Sequence, residues 1–258
     1  MKTRPFTVVI MAAGQGKRML NPDMPKVMYE VNGKPLVDHV VDLSLQIGSP
    51  SAVVIVGFRR EIVMQHLKDK YDGRVTFAIQ AEQLGTGHAV MQTEEILKDF
   101  DGDVLVLSGD VPLLTEKTMQ NLLDSHYATN AAMTVLTAEV DDPTGYGRII
   151  RTREGAVDRI VEHRDASPAE REVKEINSGI YVFKRKELFD ALRHVTPENS
   201  QHEYYLTDVF GYFVHHGMRV SAVLAEHFDE IRGINTVEQL KEAENALISN
   251  TRVFGRKS

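Results

Sequence analysis

No cysteine occurs in the 258 residues of the chain. Disulfides, thiolate nucleophiles and thiolate zinc sites are excluded together, so any catalysis must use oxygen, nitrogen or a hard metal. Positive charge is also in short supply, since 30 Lys and Arg against 37 Asp and Glu leave a formal net charge of -7. That balance argues against a nucleic-acid partner, which calls for a basic face. It does not exclude anionic substrates, but these require a locally positive cleft, and Lys17, Arg18 and Lys26 cluster where one could open. No apolar run approaches the roughly 20 residues of a membrane span. The N-terminus shows no charged-then-apolar leader. These absences predict a soluble, cytoplasmic chain with no membrane partner, and there is no internal repeat or low-complexity segment.

With an apolar content of 42% the chain can bury a full core as one α/β domain. Its most informative stretch is the first loop, where Val8-Val9-Ile10-Met11 runs into Ala12-Ala13-Gly14-Gln15-Gly16-Lys17-Arg18 and, a little later, Pro25-Lys26. Four apolar residues are too few for a helix, and the small residues after them let main-chain N–H groups close around a phosphate. Arg18 and Lys26 add the charge that neutral amides lack. The spacing fits neither the dinucleotide fingerprint nor the P-loop. An ordinary glycine-rich surface turn is the competing reading of this loop taken alone.

Further along, residues 35–47 (PLVDHVVDLSLQI) and 59–70 read as helices, and 51–57 (SAVVIVG), 74–80 (RVTFAIQ), 103–107 (DVLVL) and 131–140 as strands. Short apolar strands alternating with amphipathic helices predict a doubly wound, mostly parallel sheet, with ligands at the carboxyl ends of the strands. Gln80 and Gln83 offer the donor and acceptor pair that a pyrimidine edge needs, Gly85 allows close approach, and Thr86 can cap a helix or touch a ligand. The alternative is a plain capped helix start with Gln on its rim. His88 reads as a packing residue of that helix start. Asp110, in Ser108-Gly109-Asp110-Val111-Pro112, sits just past a buried strand and is the first-choice magnesium ligand, because Mg²⁺ takes few carboxylates plus substrate phosphates. Thr115 is the better cap for the helix that follows.

After residue 140 the pattern changes to a hairpin (148–152 and 157–162), then a strand from residue 175, suggesting a smaller lobe over the sheet. Glu162 and Asn177 can serve sugar hydroxyls or an amide; otherwise they are a solvated strand end and a turn residue. Residues 203–210 (EYYLTDVF) are expected to open a helix whose aromatic stripe belongs to the core, and 219–224 to form a closing strand. Asn235 lies beside Gly233-Ile234, where its carbonyl oxygen could complete a metal shell, and Thr236 caps a last helix over 237–248.

In this order and spacing, AAGQGKRM, PKVMYEVNGKPL, EQLGTGHAV, SGDVPLL, DDPTGYGRI, VEHRDA, EINSGIY, EYYLTD and GIN closely resemble the pyrophosphorylase domain of bacterial N-acetylglucosamine-1-phosphate uridyltransferases, within the sugar nucleotidyltransferase family. The resemblance spans about residues 8–235. It implies a Rossmann-like nucleotidyltransferase fold with a β-rich sugar-binding lobe. It also implies Mg²⁺-dependent transfer of UMP from UTP to N-acetyl-α-D-glucosamine 1-phosphate, giving UDP-N-acetylglucosamine and pyrophosphate. Carried over by motif, Met11, Ala12, Ala13 and Gly14 would hold the nucleotide, and Gln80, Gln83, Gly85 and Thr86 would read uracil. Arg18 and Lys26 would serve the phosphates, and Asp110 and Asn235 the metal. Gly147, Glu162, Asn177, Tyr205 and Thr207 would surround the sugar. Departures from the family pattern are Lys17 and Ser178 in place of Thr, and Ser108 where some members carry an aromatic.

Two rival readings are a sister nucleotidyltransferase for glucose 1-phosphate or another nucleotide, and a non-catalytic nucleotide-sugar-binding regulatory module. Residues 1–235 are expected to form the nucleotidyltransferase domain, with 236–258 as a helix and polar tail folding back through Leu240, Ala243 and Leu247. No hexapeptide repeat is present, so the family's trimeric acetyltransferase β-helix is not expected, and a monomer or weak dimer is.

Overall fold

Strand β1 (Phe6–Ala12) sends Val8, Ile10 and Ala12 into one apolar cluster and Val9 and Met11 toward another. A strand covered on both faces needs helices on both faces, which is the doubly wound arrangement that the sequence predicts. The computed structural model describes residues 4–254 other than 17, 20 and 22, so Lys17 lies outside the described residues.

A small hairpin follows, β2 (Glu30–Val31) and β3 (Lys34–Pro35), turned by Asn32 and Gly33 at φ 54° and 69°. Next come α1 (Leu36–Gln46), β4 (Ala52–Val56), α2 (Arg60–Tyr71) and β5 (Val75–Ile79). Two short helices, α3 (Thr86–Met91) and α4 (Glu94–Leu97), lead to β6 (Asp103–Ser108), α5 (Glu116–Thr129) and β7 (Met133–Glu139). The second half contains β8 (Arg148–Arg151), β9 (Val157–Val161), α6 (Pro168–Arg171), β10 (Glu175–Lys184), α7 (Arg185–Leu192) and α8 (Val209–His215). It closes with β11 (Val220–Leu224), α9 (Phe228–Ile231) and α10 (Val237–Phe254).

The main sheet runs β11-β7-β10-β6-β1-β4-β5. Every neighbour pair along it is parallel except those made by β10, which lies antiparallel between β6 and β7. Helices α1, α2 and α5 cover one face through Val37, Val41, Val63, Leu67, Met119 and Leu122, while α3, α7 and α8 cover the other through Val90, Leu188, Phe189, Phe210 and Phe213. The expected hairpin forms as β8 and β9 and joins the sheet at a single rung, Ile176 against Arg148. The smaller lobe is therefore an outgrowth of the main sheet. Among the described residues no helix is long and apolar enough to cross a membrane.

Two expectations need correction. No helix opens at Glu203: residues 203–205 form no regular element, with Tyr205 extended, and helical structure begins with a 3₁₀ turn at Leu206–Asp208. The cause is tertiary, because Tyr204 N donates to Leu84 O at 2.8 Å and Tyr204 O accepts from Gly87 N at 2.7 Å, which commits that main chain to a strand-like contact. The last helix does not stop at residue 248 but continues to Phe254. Its Leu240, Ala243 and Leu247 pack with Val31, Leu36, Leu113 and Ile234 in a third, smaller cluster.

Candidate active site

At the carboxyl ends of β1 and β6 three cavities of ≈ 280, ≈ 270 and ≈ 200 Å³ adjoin, and Ser108 lines all of them. The largest is walled by the first loop on one side and the loop after β5 on the other. Every residue assigned to the nucleotide borders it: Met11, Ala12, Ala13, Gly14, Gln80, Gln83, Gly85 and Thr86. The first loop is tied down from below, since Gly109 N donates to Met11 O at 2.9 Å and Phe58 N to Ala13 O at 3.2 Å. A Cβ added to Gly14 would meet nothing within 4 Å, so the space beside it belongs to the cavity. Gly16 is different, at φ +66° with a virtual Cβ 2.6 Å from Lys26 Cβ.

Gln80 is 3% exposed, and its Nε2 donates to Gly85 O at 3.0 Å and lies 3.3 Å from His88 Nδ1. His88 thus stays in the scaffold, bracing the loop that presents Gln80. Gly85 and Gly87 are both held against protein main chain. A Cβ on Gly85, at φ +107°, would stand 2.5 Å from Tyr204 O, and one on Gly87 2.9 Å from the same atom. Thr86 Oγ1 accepts from Leu206 N at 3.0 Å, joining the loop after β5 to the segment that carries Thr207.

Lys26 opens a 3₁₀ turn after Pro25, with the buried Val27 anchoring the turn in the core. Its Nζ donates to Asp110 Oδ2 and, at 3.0 Å, to Asn235 Oδ1. The Lys26 and Asp110 side chains are 15% and 16% exposed. Residues 84 and 209 positions apart along the chain from Lys26 thereby converge on one ammonium. Ile234 N donates to Asp110 O at 2.9 Å and Asn235 Nδ2 to Gly233 O at 3.1 Å, which leaves Asn235 Oδ1 to accept from Lys26 Nζ. The two oxygens already embrace a cation, and an all-oxygen set with one formal charge suits Mg²⁺, which keeps waters and substrate phosphates as its other ligands. Among the described residues no cluster of three or more His, Cys, Asp or Glu could hold a metal. Arg18 is exposed and borders the ≈ 270 Å³ cavity together with Asp110 and Asn235.

The ≈ 200 Å³ cavity gathers Gly147, Glu162, Asn177 and Thr207. It lies where β10 bulges between Asn177 and Tyr181, an irregularity that turns side chains out of the ladder. Asn177 Nδ2 donates to Tyr181 Oη at 2.7 Å and its Oδ1 accepts from Gly179 N at 3.1 Å. Thr207 Oγ1 donates to Glu162 Oε1 at 3.1 Å. Burial pushes the Glu162 carboxyl above its ordinary value against that hydrogen bond, and the nearby charges of Asp165 and Glu203 push the same way. Tyr205 does not border this cavity. It is 6% exposed, with its hydroxyl held between Asp165 Oδ2 (3.2 Å) and Gln201 Nε2 (2.7 Å), and serves as an anchor for the loop. Ser178 Oγ is likewise spent, donating to Leu136 O at 2.7 Å. Sequence reasoning gave Ser108 no role, although its place at the end of a buried strand was a signal. Tyr146, which borders two of the cavities, offered none, because it sits in an irregular loop.

Small first-loop residues, Lys26 and Asp110 gathered around one cavity at the strand ends of a doubly wound sheet define a nucleotide-handling enzyme of the transferase type. The chain belongs to the nucleotidyl transferase family, whose profile matches residues 7–242. Among curated proteins it is 51% identical over 239 residues to the "Bifunctional protein GlmU" of Geobacillus sp. (strain WCH70), covering 93% of this chain and 51% of that protein. It is 47% identical over 227 residues to the protein of the same name from Enterococcus faecalis (strain ATCC 700802 / V583), covering 88% and 48%. The chain therefore spans about half the length of the curated relatives it matches. Among solved structures, a UDP-glucose pyrophosphorylase complexed with UDP-glucose superposes with TM-score 0.76 at 17% identity, covering 95% of this chain and 99% of that one. A putative glucose-1-phosphate thymidylyltransferase from Bacillus anthracis superposes with TM-score 0.74 at 20% identity, covering 93% and 94%. At such identities these two speak for the fold.

Proposed function

We propose that the chain transfers UMP from UTP to N-acetyl-α-D-glucosamine 1-phosphate, releasing pyrophosphate and forming UDP-N-acetylglucosamine. The observation that carries this reading is the junction at Ser108, where the cavity bordered by the nucleotide motifs meets the one bordered by the sugar motifs beside Lys26 and Asp110. A sugar phosphate in the smaller cavity would present its oxygen to the α-phosphorus of a nucleotide in the larger one, and pyrophosphate would leave on the far side. Such a transfer asks the protein mainly for positioning and charge stabilisation. Ala12, Ala13 and Gly14 would surround the phosphates, with Arg18 and Lys26 neutralising them. Gln80 would face the base, and Glu162, Asn177, Gly147 and Thr207 the sugar. Asp110 and Asn235 would hold Mg²⁺, which when bound screens the charge shared by the two phosphates.

The test is a panel of four nucleoside triphosphates against several sugar 1-phosphates, read by pyrophosphate release. UTP with N-acetylglucosamine 1-phosphate should give the highest kcat/KM. A site that hydrogen-bonds the acetamido group leaves polar atoms unpaired when glucose 1-phosphate binds, and discriminates by more than the roughly 1–3 kcal/mol of an apolar slot. Equal kcat/KM for the two sugars would overturn the sugar assignment, and no pyrophosphate with any pair would overturn the activity.

A further inference from the structure

Asn235 stands two residues before the start of the final helix, and its place depends on a side chain one turn further on. Gln239 Oε1 accepts from Asn235 N at 2.7 Å and from Thr236 N at 3.2 Å, while Gln239 N donates to Thr236 Oγ1 at 3.3 Å. This reciprocal Thr-x-x-Gln arrangement satisfies main-chain donors that a helix start otherwise leaves open. Here one of those donors belongs to the residue whose Oδ1 accepts from Lys26 Nζ, the same ammonium that meets Asp110 Oδ2. Gln239 also borders the cavity shared by Arg18, Asp110 and Asn235. The helix behind it is fixed through Leu240 and Ala243 against Val31 and Leu36.

We propose that Gln239 is a positioning residue for metal binding: by accepting the Asn235 main-chain N–H it holds Asn235 Oδ1 opposite Asp110, so that the two oxygens meet one cation. The inference rests on the reading of Asp110 and Asn235 as the metal ligands. Only the acceptor oxygen of Gln239 is needed for this role, so glutamate can replace glutamine whereas alanine cannot.

The experiment titrates Mn²⁺ alone into the full chain, following free Mn²⁺ by electron paramagnetic resonance, and pairs each variant with a thermal unfolding curve. Gln239→Ala should weaken Mn²⁺ binding by about tenfold, the lower end of what loss of a residue supporting a metal ligand costs. Gln239→Glu should restore it, and Asn235→Ala should weaken it at least as much as Gln239→Ala. If Asn235→Ala weakens Mn²⁺ binding while Gln239→Ala lowers only Tm, Gln239 is a cap and no more, and this inference falls alone. If Gln239→Glu fails to rescue, the acceptor role is wrong. If wild type and Asn235→Ala do not differ toward Mn²⁺, the metal reading falls and takes this inference with it.

Discussion

At Lys26 a single ammonium answers one charged and one neutral oxygen. Removing it should cost more in turnover than in ground-state binding. Lys26→Ala is expected to lower kcat by about 10²–10³-fold, the range for a lost donor to developing charge, with a smaller change in KM for UTP. Steady-state pyrophosphate release checks this, and near wild-type turnover would take Lys26 out of the mechanism. Glu162 should give the activity a pH dependence. Because burial raises its carboxyl above the ordinary value of 4.5, the ionised form is lost on acidification earlier than for a free glutamate. The acid limb of kcat/KM for the sugar phosphate should be displaced upward accordingly, and Glu162→Gln should abolish that limb while lowering the plateau. Stability runs the other way, since the folded state binds the proton more tightly and pays for ionisation as pH rises through the folded value. Glu162→Gln should therefore gain more Tm near neutral pH than in mild acid.

Between elements, the decisive contact is the main-chain pairing of Tyr204 with Leu84 and Gly87, reinforced by Leu206 N donating to Thr86 Oγ1, which joins the wall of the ≈ 280 Å³ cavity to that of the ≈ 200 Å³ one. It exists only because Gly85 and Gly87 bring no Cβ to Tyr204 O. Gly85→Ala puts a side chain into that carbonyl at a φ that L-residues avoid, and should cost about 1–3 kcal/mol of stability. Gly14→Ala, with nothing near its Cβ, should leave Tm unchanged and instead raise KM for UTP. Unfolding curves for the pair make the distinction, and equal Tm values for the two variants would refute it. The last helix shows the same interdependence, because its packing and its first turn together set where Asn235 stands.

For the whole molecule, the sheet brings together three segments that are remote in sequence: the first loop, the turn after β6 and the loop before α10. One expectation depends on all three at once. Stripping divalent ions with a chelator should abolish pyrophosphate release, and Mg²⁺ should restore it, since Asp110 and Asn235 can form a site only in the folded cleft. Activity that persists in chelator would contradict the Asp110 and Asn235 assignment.

By itself the sequence determined the doubly wound core and which chain segments end at the cleft. Both are written in local pattern: buried strands such as Val8-Val9-Ile10-Met11 are continuous apolar runs, and small or charged residues follow them at the ends where ligands gather. Tertiary structure alone decided the antiparallel insertion of β10, the non-helical course of residues 203–205, the withdrawal of Tyr205 to Asp165 and Gln201, and the convergence of Asp110 and Asn235 on Lys26. Strand direction leaves no mark on an apolar run. Which main-chain groups Tyr204 meets, and which carboxylate a lysine finds 84 residues away, depend on how distant segments pack, and no local periodicity carries that information.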